Sequence, residues 1–254
     1  MKNLSKKMIF CSGTGRSGTH LIGRSLASHI DIKGRIEDPY SFKIITKIAT
    51  SQDYNPKIYN LFLKKILFYR LKRILSDQKK HILEKSHPSI WLFEDLIKKL
   101  DNLVFLGVYR DLEPTVNSML NHNGVLSWYN KLPQNQNNRF LGITELNKDS
   151  FHKSSIEYKC ACRWLSHIIR LEYLKDNYPE KILLIKYEDF VISQKLHLNV
   201  ISDFLEIENK FNPEDLDTSK LYKWEINLNK DQKKKLYHFK INNEISDFKH
   251  LNLK

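Results

Sequence analysis

At 254 residues the chain is long enough to bury a full core as one domain, and two independent domains would each fall at the small end of the usual range. Forty-two Lys and Arg against 29 Asp and Glu give a net charge of +13, which suits an anionic partner without choosing among nucleic acid, anionic lipid and acidic glycan. Cys11, Cys160 and Cys162 have no metal-ligand spacing, which argues against a disulfide framework or a zinc site. No apolar run approaches the roughly 18 residues of a membrane span, so a soluble, cytoplasmic chain is expected.

The first element is a short apolar strand, residues 8–12. It leads into the loop Gly13-Thr14-Gly15-Arg16-Ser17-Gly18 and a helix from Gly18 to about Ile30. Three glycines in six residues allow tight turns and let successive N–H groups converge on one anion at a helix N-terminus, so the loop reads as a phosphate cradle. Gly13 and Gly18 have the spacing of the nucleotide P-loop, but Thr19 stands where that motif has lysine, and Arg16 supplies a cation inside the loop instead. Ser17, Thr19 and His20 add side-chain donors in the first helical turn. Residues 31–53 are less readable. Glu37-Asp38-Pro39 reads as a solvated loop, with carboxylates facing an acceptor as the alternative. Asn55-Pro56 opens a long amphipathic helix to Lys80, on which Lys65, Lys72 and Lys79 lie seven apart. That stripe is either a solvated face or a contact for an anionic acceptor or lipid headgroups.

Residues 81–86 read as a strand, followed by the turn Ser86-His87-Pro88 and a helix Ser89 to Leu100. Lys85 and His87 then lie at the C-terminal end of a strand, where open α/β sheets hold ligands; a cap or packing role is the plain alternative for a histidine there. Leu103 to Tyr109 is a continuous apolar strand ended by Arg110, and Glu113-Pro114 starts the next helix. Residues 121–151 hold many Asn and Gln, Trp128, Tyr129 and Phe140, with no sustained period. They form an irregular insertion, either a packed surface loop or an acceptor-binding segment whose rings stack on a sugar. A long helix over 155–177, a strand over 182–187, a helix over 196–205 and a final helix over 230–242 capped by Asn229 complete the chain. Trp224 packs either in the core or near a ligand. Strands alternating with helices predict an α/β fold, three layers α/β/α around a central parallel sheet, P-loop NTPase-like.

The loop Gly15-Arg16-Ser17-Gly18-Thr19, followed by an apolar helix, resembles that of sulfotransferases using 3′-phosphoadenosine 5′-phosphosulfate (PAPS). So does Arg110, at a strand end with Ser118 eight residues on, which matches the family's 3′-phosphate site. Lys85-Ser86-His87 is similar to the Lys-Thr-His segment whose histidine is the general base, and Tyr187-Glu188-Asp189 to a stretch whose tyrosine lies toward the adenosine. The resemblance covers most of the chain as a pattern of segments and is weak over 31–80 and 121–150. It implies sulfuryl transfer from PAPS to an acceptor hydroxyl, on a carbohydrate or glycolipid, without a metal. His87, Arg16 and Lys85 would be catalytic; Gly15, Arg16, Ser17, Gly18, Thr19, His20, Arg110, Ser118 and Tyr187 would hold the donor. Lysine is common in relatives where Arg16 stands, so Arg16 is expected to act as an electrostatic clamp rather than a proton donor. The competing readings are a P-loop kinase, weakened by the missing lysine, and a non-enzymatic basic module binding nucleic acid or acidic glycan.

Overall fold

The computed structural model describes residues 6–53, 57–77 and 80–243. Its centre is a sheet of five described strands, β1 (Met8–Gly13), β2 (Ile32–Ile36), β3 (His81–Lys85), β4 (Leu103–Tyr109) and β5 (Ile182–Lys186), all parallel in the order β2-β3-β1-β4-β5. β1 and β4 are neighbours in the interior of the sheet, and each of their residues is buried, as strands covered on both faces require. Alternate side chains serve opposite layers. Phe10 and Phe105, paired in register with ring centroids 5.1 Å apart, enter one layer, while Ile9, Cys11, Val104 and Leu106 fill the other. Burying a phenylalanine in this way contributes about 1.5–3 kcal/mol.

In chain order the helices are α1 (Thr19–Ala27), α2 (Pro39–Ser51), α3 (Lys57–Asp77), α4 (Phe93–Ile97), α5 (Leu112–Leu120), α6 (Asn123–Lys131), α7 (Lys148–Phe151), α8 (Ile156–Asn177), α9 (Tyr187–Ile192), α10 (Gln194–Leu205), α11 (Lys223–Asn227) and α12 (Lys230–Asn242). Two 3₁₀ turns, His87–Leu92 and Thr218–Tyr222, complete them. α1 and α10 bring Ile22, Leu26, Leu198 and Ile201 to one face of the sheet; α2, α3, α8 and α12 bring Ile45, Leu67, Ile168 and Leu236 to the other. The chain leaves β1 toward β2 and β3 and later crosses to β4 on the opposite side, so the switch of direction lies beside β1, at whose C-terminal end a crevice opens. The expected three-layer parallel α/β fold is the one observed.

Three expectations change. Residues 32–51 are an edge strand and a helix: Asp38 caps α2 by accepting from the Ser41 N–H at 3.0 Å, with Pro39 in the first turn, so Glu37-Asp38 is not a solvated loop. The helix expected over 89–100 is a 3₁₀ turn from His87 followed by α4, because the buried Ser12 hydroxyl donates to His87 O and accepts from Ile90 N, tightening the start. The insertion 121–151 contains α6 and α7, and α6 is held by buried Val125 and Tyr129. Asn229 caps α12 as expected, in a reciprocal pair of bonds with Gln232. Asn55, Pro56 and Lys79 lie outside the described residues.

Candidate active site

The loop after β1 is shaped from within. Buried Ser17 donates its hydroxyl to Thr14 O at 2.6 Å, with Val108 O 3.1 Å away as a second acceptor in reach, and its N–H to Thr14 O at 3.2 Å, so its polar groups hold the loop rather than face outward. Arg16 adopts φ +78°, a left-handed conformation that non-glycine residues take where the surroundings impose it. Gly18, at φ +91°, precedes α1, and a Cβ there would lie 1.9 Å from the Tyr187 ring. The glycine lets that ring close against the helix start.

A cleft of about 570 Å³ opens beside the loop, at the C-terminal ends of the strands. It gathers Gly15, Arg16, Gly18, Thr19, His20, Lys85, His87, Arg110, Ser118 and Tyr187, every sequence-level candidate except Ser17. Three arginines, Arg16, Arg24 and Arg110, and Lys85 face one carboxylate, Glu37, among the described residues that line it. One end brings two arginines together. Arg16 Nε donates to Ser118 Oγ at 3.0 Å, while the Arg110 guanidinium lies 4.5 Å over the Tyr187 ring with its Nε 3.5 Å from Glu188. Burial, and then repulsion by Arg110, pull the Arg16 pKa below its ordinary value, the electrostatic sign of two cations sharing one crevice.

At the other end Glu37 ties the candidate reacting groups together. Lys85 Nζ donates to Glu37 Oε1, His20 Nε2 lies 3.3 Å from that oxygen and His87 Nδ1 3.7 Å from it. Burial by itself raises the Glu37 pKa, but the nearby donors His20, His87 and Lys85 outweigh it and hold the carboxyl well below its usual range. Burial lowers Lys85, with Glu37 opposing. His87, nearly buried between the rings of Phe42 and Trp128, is pulled down to about 4, by burial first; Glu37 opposes this and Lys85 and Arg163 add repulsion. His87 is therefore a neutral imidazole at neutral pH, and its Nε2 has no hydrogen-bond partner among the described residues.

Several members of the site escaped sequence reasoning or were read differently. For Glu37 the sequence allows a solvated loop or a carboxylate facing an acceptor, and the structure puts it in the cleft wall; its position follows from β2 pairing with β3, which sets Ile36 beside Lys85. Trp128 and Val125 on α6 line the cleft, so the irregular insertion does contribute a wall. Arg163 on α8 is fully buried, with its guanidinium 4.4 Å over Trp128 and 4.7 Å over Phe140. The readable signal was an arginine between Cys160 and Trp164, on the apolar stripe of a helix. Trp224 packs against the hydrophobic layer and does not line the cleft.

The sulfotransferase domain family matches residues 6–250. The chain belongs to that family. Three solved structures share the fold of this sulfotransferase. The sulfotransferase domain from the curacin biosynthetic pathway aligns with a TM-score of 0.57 at 13% identity, over 92% of this chain and 97% of its own. A sulfotransferase from Alicyclobacillus acidocaldarius gives 0.56 at 16%, over 92% and 91%. The sulfotransferase domain of the Synechococcus PCC 7002 olefin synthase gives 0.55 at 13%, over 89% and 90%. No curated protein matches the sequence. The enzyme's chemistry is that of its family, sulfuryl transfer. Among the described residues, no helix is long and apolar enough to cross a membrane.

Proposed function

We propose that this sulfotransferase moves the sulfuryl group of PAPS to a hydroxyl of a carbohydrate or glycolipid, as one cytoplasmic domain in which segment 121–151 frames the acceptor. The observation that carries the reading is that a single cleft joins an anion-binding end, Arg16, Arg110 and Ser118, to an end holding a neutral, nearly buried histidine. The site fits the donor: Arg110 and Ser118 hold the 3′-phosphate, the Tyr187 ring under Arg110 lies toward the adenosine, and the N–H groups of Gly15, Gly18, Thr19 and His20 at the start of α1 receive the 5′-phosphosulfate.

His87 removes the proton of the acceptor hydroxyl at Nε2, while its Nδ1 side faces the Glu37 carboxylate, which orients the ring and stabilises the cation that forms. The 3.7 Å separation is longer than a hydrogen bond and is expected to shorten when the acceptor binds. Arg16 neutralises charge growing on the leaving phosphate, with Lys85 beside it. Transfer of this kind depends on alignment and charge stabilisation, which fixed cations in a walled cleft supply. Trp128 and Phe42, flanking His87, offer apolar faces on which a sugar ring stacks. The buried free thiols Cys11, Cys160 and Cys162 suit a reducing compartment.

The test is transfer of label from sulfur-labelled PAPS to a panel of glycans, glycolipids, phenols and amines. Labelled glycan or glycolipid supports the acceptor class, and label confined to phenols or amines overturns it. Calorimetry with 3′-phosphoadenosine 5′-phosphate checks the donor site separately, and absence of binding removes the donor assignment.

A further inference from the structure

We propose that the outward face of α3 docks this protein on an anionic lipid bilayer. A surface helix ordinarily turns polar residues to solvent, and α3 turns large apolar ones there as well. Its inner face is accounted for by buried Leu63, Leu67 and Leu71. On the opposite side Ile58 is 82% exposed, Leu61 56%, Phe62 60% and Tyr69 72%. Spaced by three, one and seven residues, these side chains follow the helical repeat and make one apolar stripe. The helix is about 31 Å long, enough to lie along a membrane surface over several lipids.

Charge commits the stripe to its partner. From Lys57 to Asp77 the helix carries six basic residues and one acidic one, Asp77, at its last position and 3.8 Å from Arg73. Lys64 and Arg70 are paired inward, with Asp95 at 2.5 Å and Asp38 at 2.9 Å. Lys65 and Lys72 lie on the outward side among the apolar residues and make no ion pair among the described residues. Large apolar side chains flanked by lysines whose stems run along them form a surface that inserts its rings at the acyl boundary while the ammonium groups reach anionic headgroups.

The same helix is joined to the cleft. Arg70 bonds Asp38 Oδ1 and, at 3.3 Å, Ser41 Oγ, and Asp38 is the chain neighbour of Glu37, which lines the cleft. The docking surface does not depend on the glycolipid reading above.

The experiment is co-sedimentation of the purified full chain with vesicles of phosphatidylcholine alone and of phosphatidylcholine mixed equally with phosphatidylglycerol. Binding at least about tenfold tighter to the anionic vesicles is expected, weakening with added salt. Replacing Lys65 and Lys72 together by Ser is expected to lower that affinity about thirtyfold, since each surface cation contributes about fivefold. Phe62→Ser with Tyr69→Ser is expected to lower it at least about tenfold. Both double variants should keep the parent's thermal midpoint and its affinity for 3′-phosphoadenosine 5′-phosphate. Vesicle binding without nucleotide binding would leave the docking surface standing while the donor site fell. Equal binding to neutral and anionic vesicles overturns the proposal, as does parental binding by both variants. Two further outcomes replace the bilayer with another occupant. One is a dimer seen by light scattering, lost in Phe62→Ser/Tyr69→Ser, with no vesicle bound. The other is vesicle binding that appears only after residues 244–254 are removed.

Discussion

His87 links burial to chemistry most directly, because its imidazole is held at a pKa of about 4 by the rings and cations around it. If it is the base, the acid limb of turnover falls near pH 4 rather than near the ordinary 6.5, and a pH–rate profile reads the difference. His87→Ala should lower turnover by about 10² to 10⁴ with donor affinity little changed, measured by initial rates and calorimetry. Arg110→Ala removes a charge-assisted contact and should weaken 3′-phosphoadenosine 5′-phosphate about tenfold to a hundredfold; Arg110→Lys should recover little, because a lysine neither stacks on Tyr187 nor forks a phosphate. Glu84 offers a stability test away from the cleft. Burial raises its pKa from 4.5 to about 8, with Arg35 at 3.5 Å opposing. Folded Glu84 thus holds an extra proton between those values, and its contribution to stability falls as pH rises from 4.5 to 8. His87 contributes an opposite slope only below 6.5. Urea unfolding between pH 6.5 and 8 should therefore show Glu84→Gln gaining on the parent.

Among the elements, the unit from β1 to α1 depends on what its glycines leave open. Gly18→Ala demands a Cβ 1.9 Å from the Tyr187 ring at φ +91°, so it should displace the ring and weaken nucleotide binding at least about tenfold, with a lowered thermal midpoint. Elements with strong local patterns were legible: the all-apolar β4, the phased apolar residues of α8 and the capped α12. β2 was not, since Ile-Lys-Gly-Arg-Ile is a half-exposed edge strand whose pattern becomes visible only when β3 pairs with it. α6 was missed for a related reason. Its Asn, Gly and Ser have weak helix propensity, and the packing of Val125 and Tyr129 overrides it.

For the molecule as a whole, a ligand bound only by the folded state stabilises it by mass action. At about 100 times its dissociation constant 3′-phosphoadenosine 5′-phosphate should add about 2.7 kcal/mol, which for a chain of this size raises the thermal midpoint by about 5–10 °C in scanning fluorimetry. At the same ligand concentration the tenfold to hundredfold weaker binding of Arg110→Ala should cut that stabilisation to about 0.4–1.4 kcal/mol, and a shift so reduced on an otherwise parental melting curve would tie it to the cleft.

The sequence alone determined what local chemistry can encode: a glycine loop between an apolar strand and a helix, an arginine ending a second apolar strand, a histidine ending a third, and from their alternation the parallel α/β class. Tertiary structure decided what those segments face. Only the pairing of β2 with β3 brings Glu37 to Lys85, His20 and His87, and only the packing of α8 against α6 buries Arg163 under Trp128 beside the imidazole. Such contacts join residues tens of positions apart, so no local period or spacing announces them. The pKa values that distinguish a neutral base from a charged cap arise from that same assembled burial.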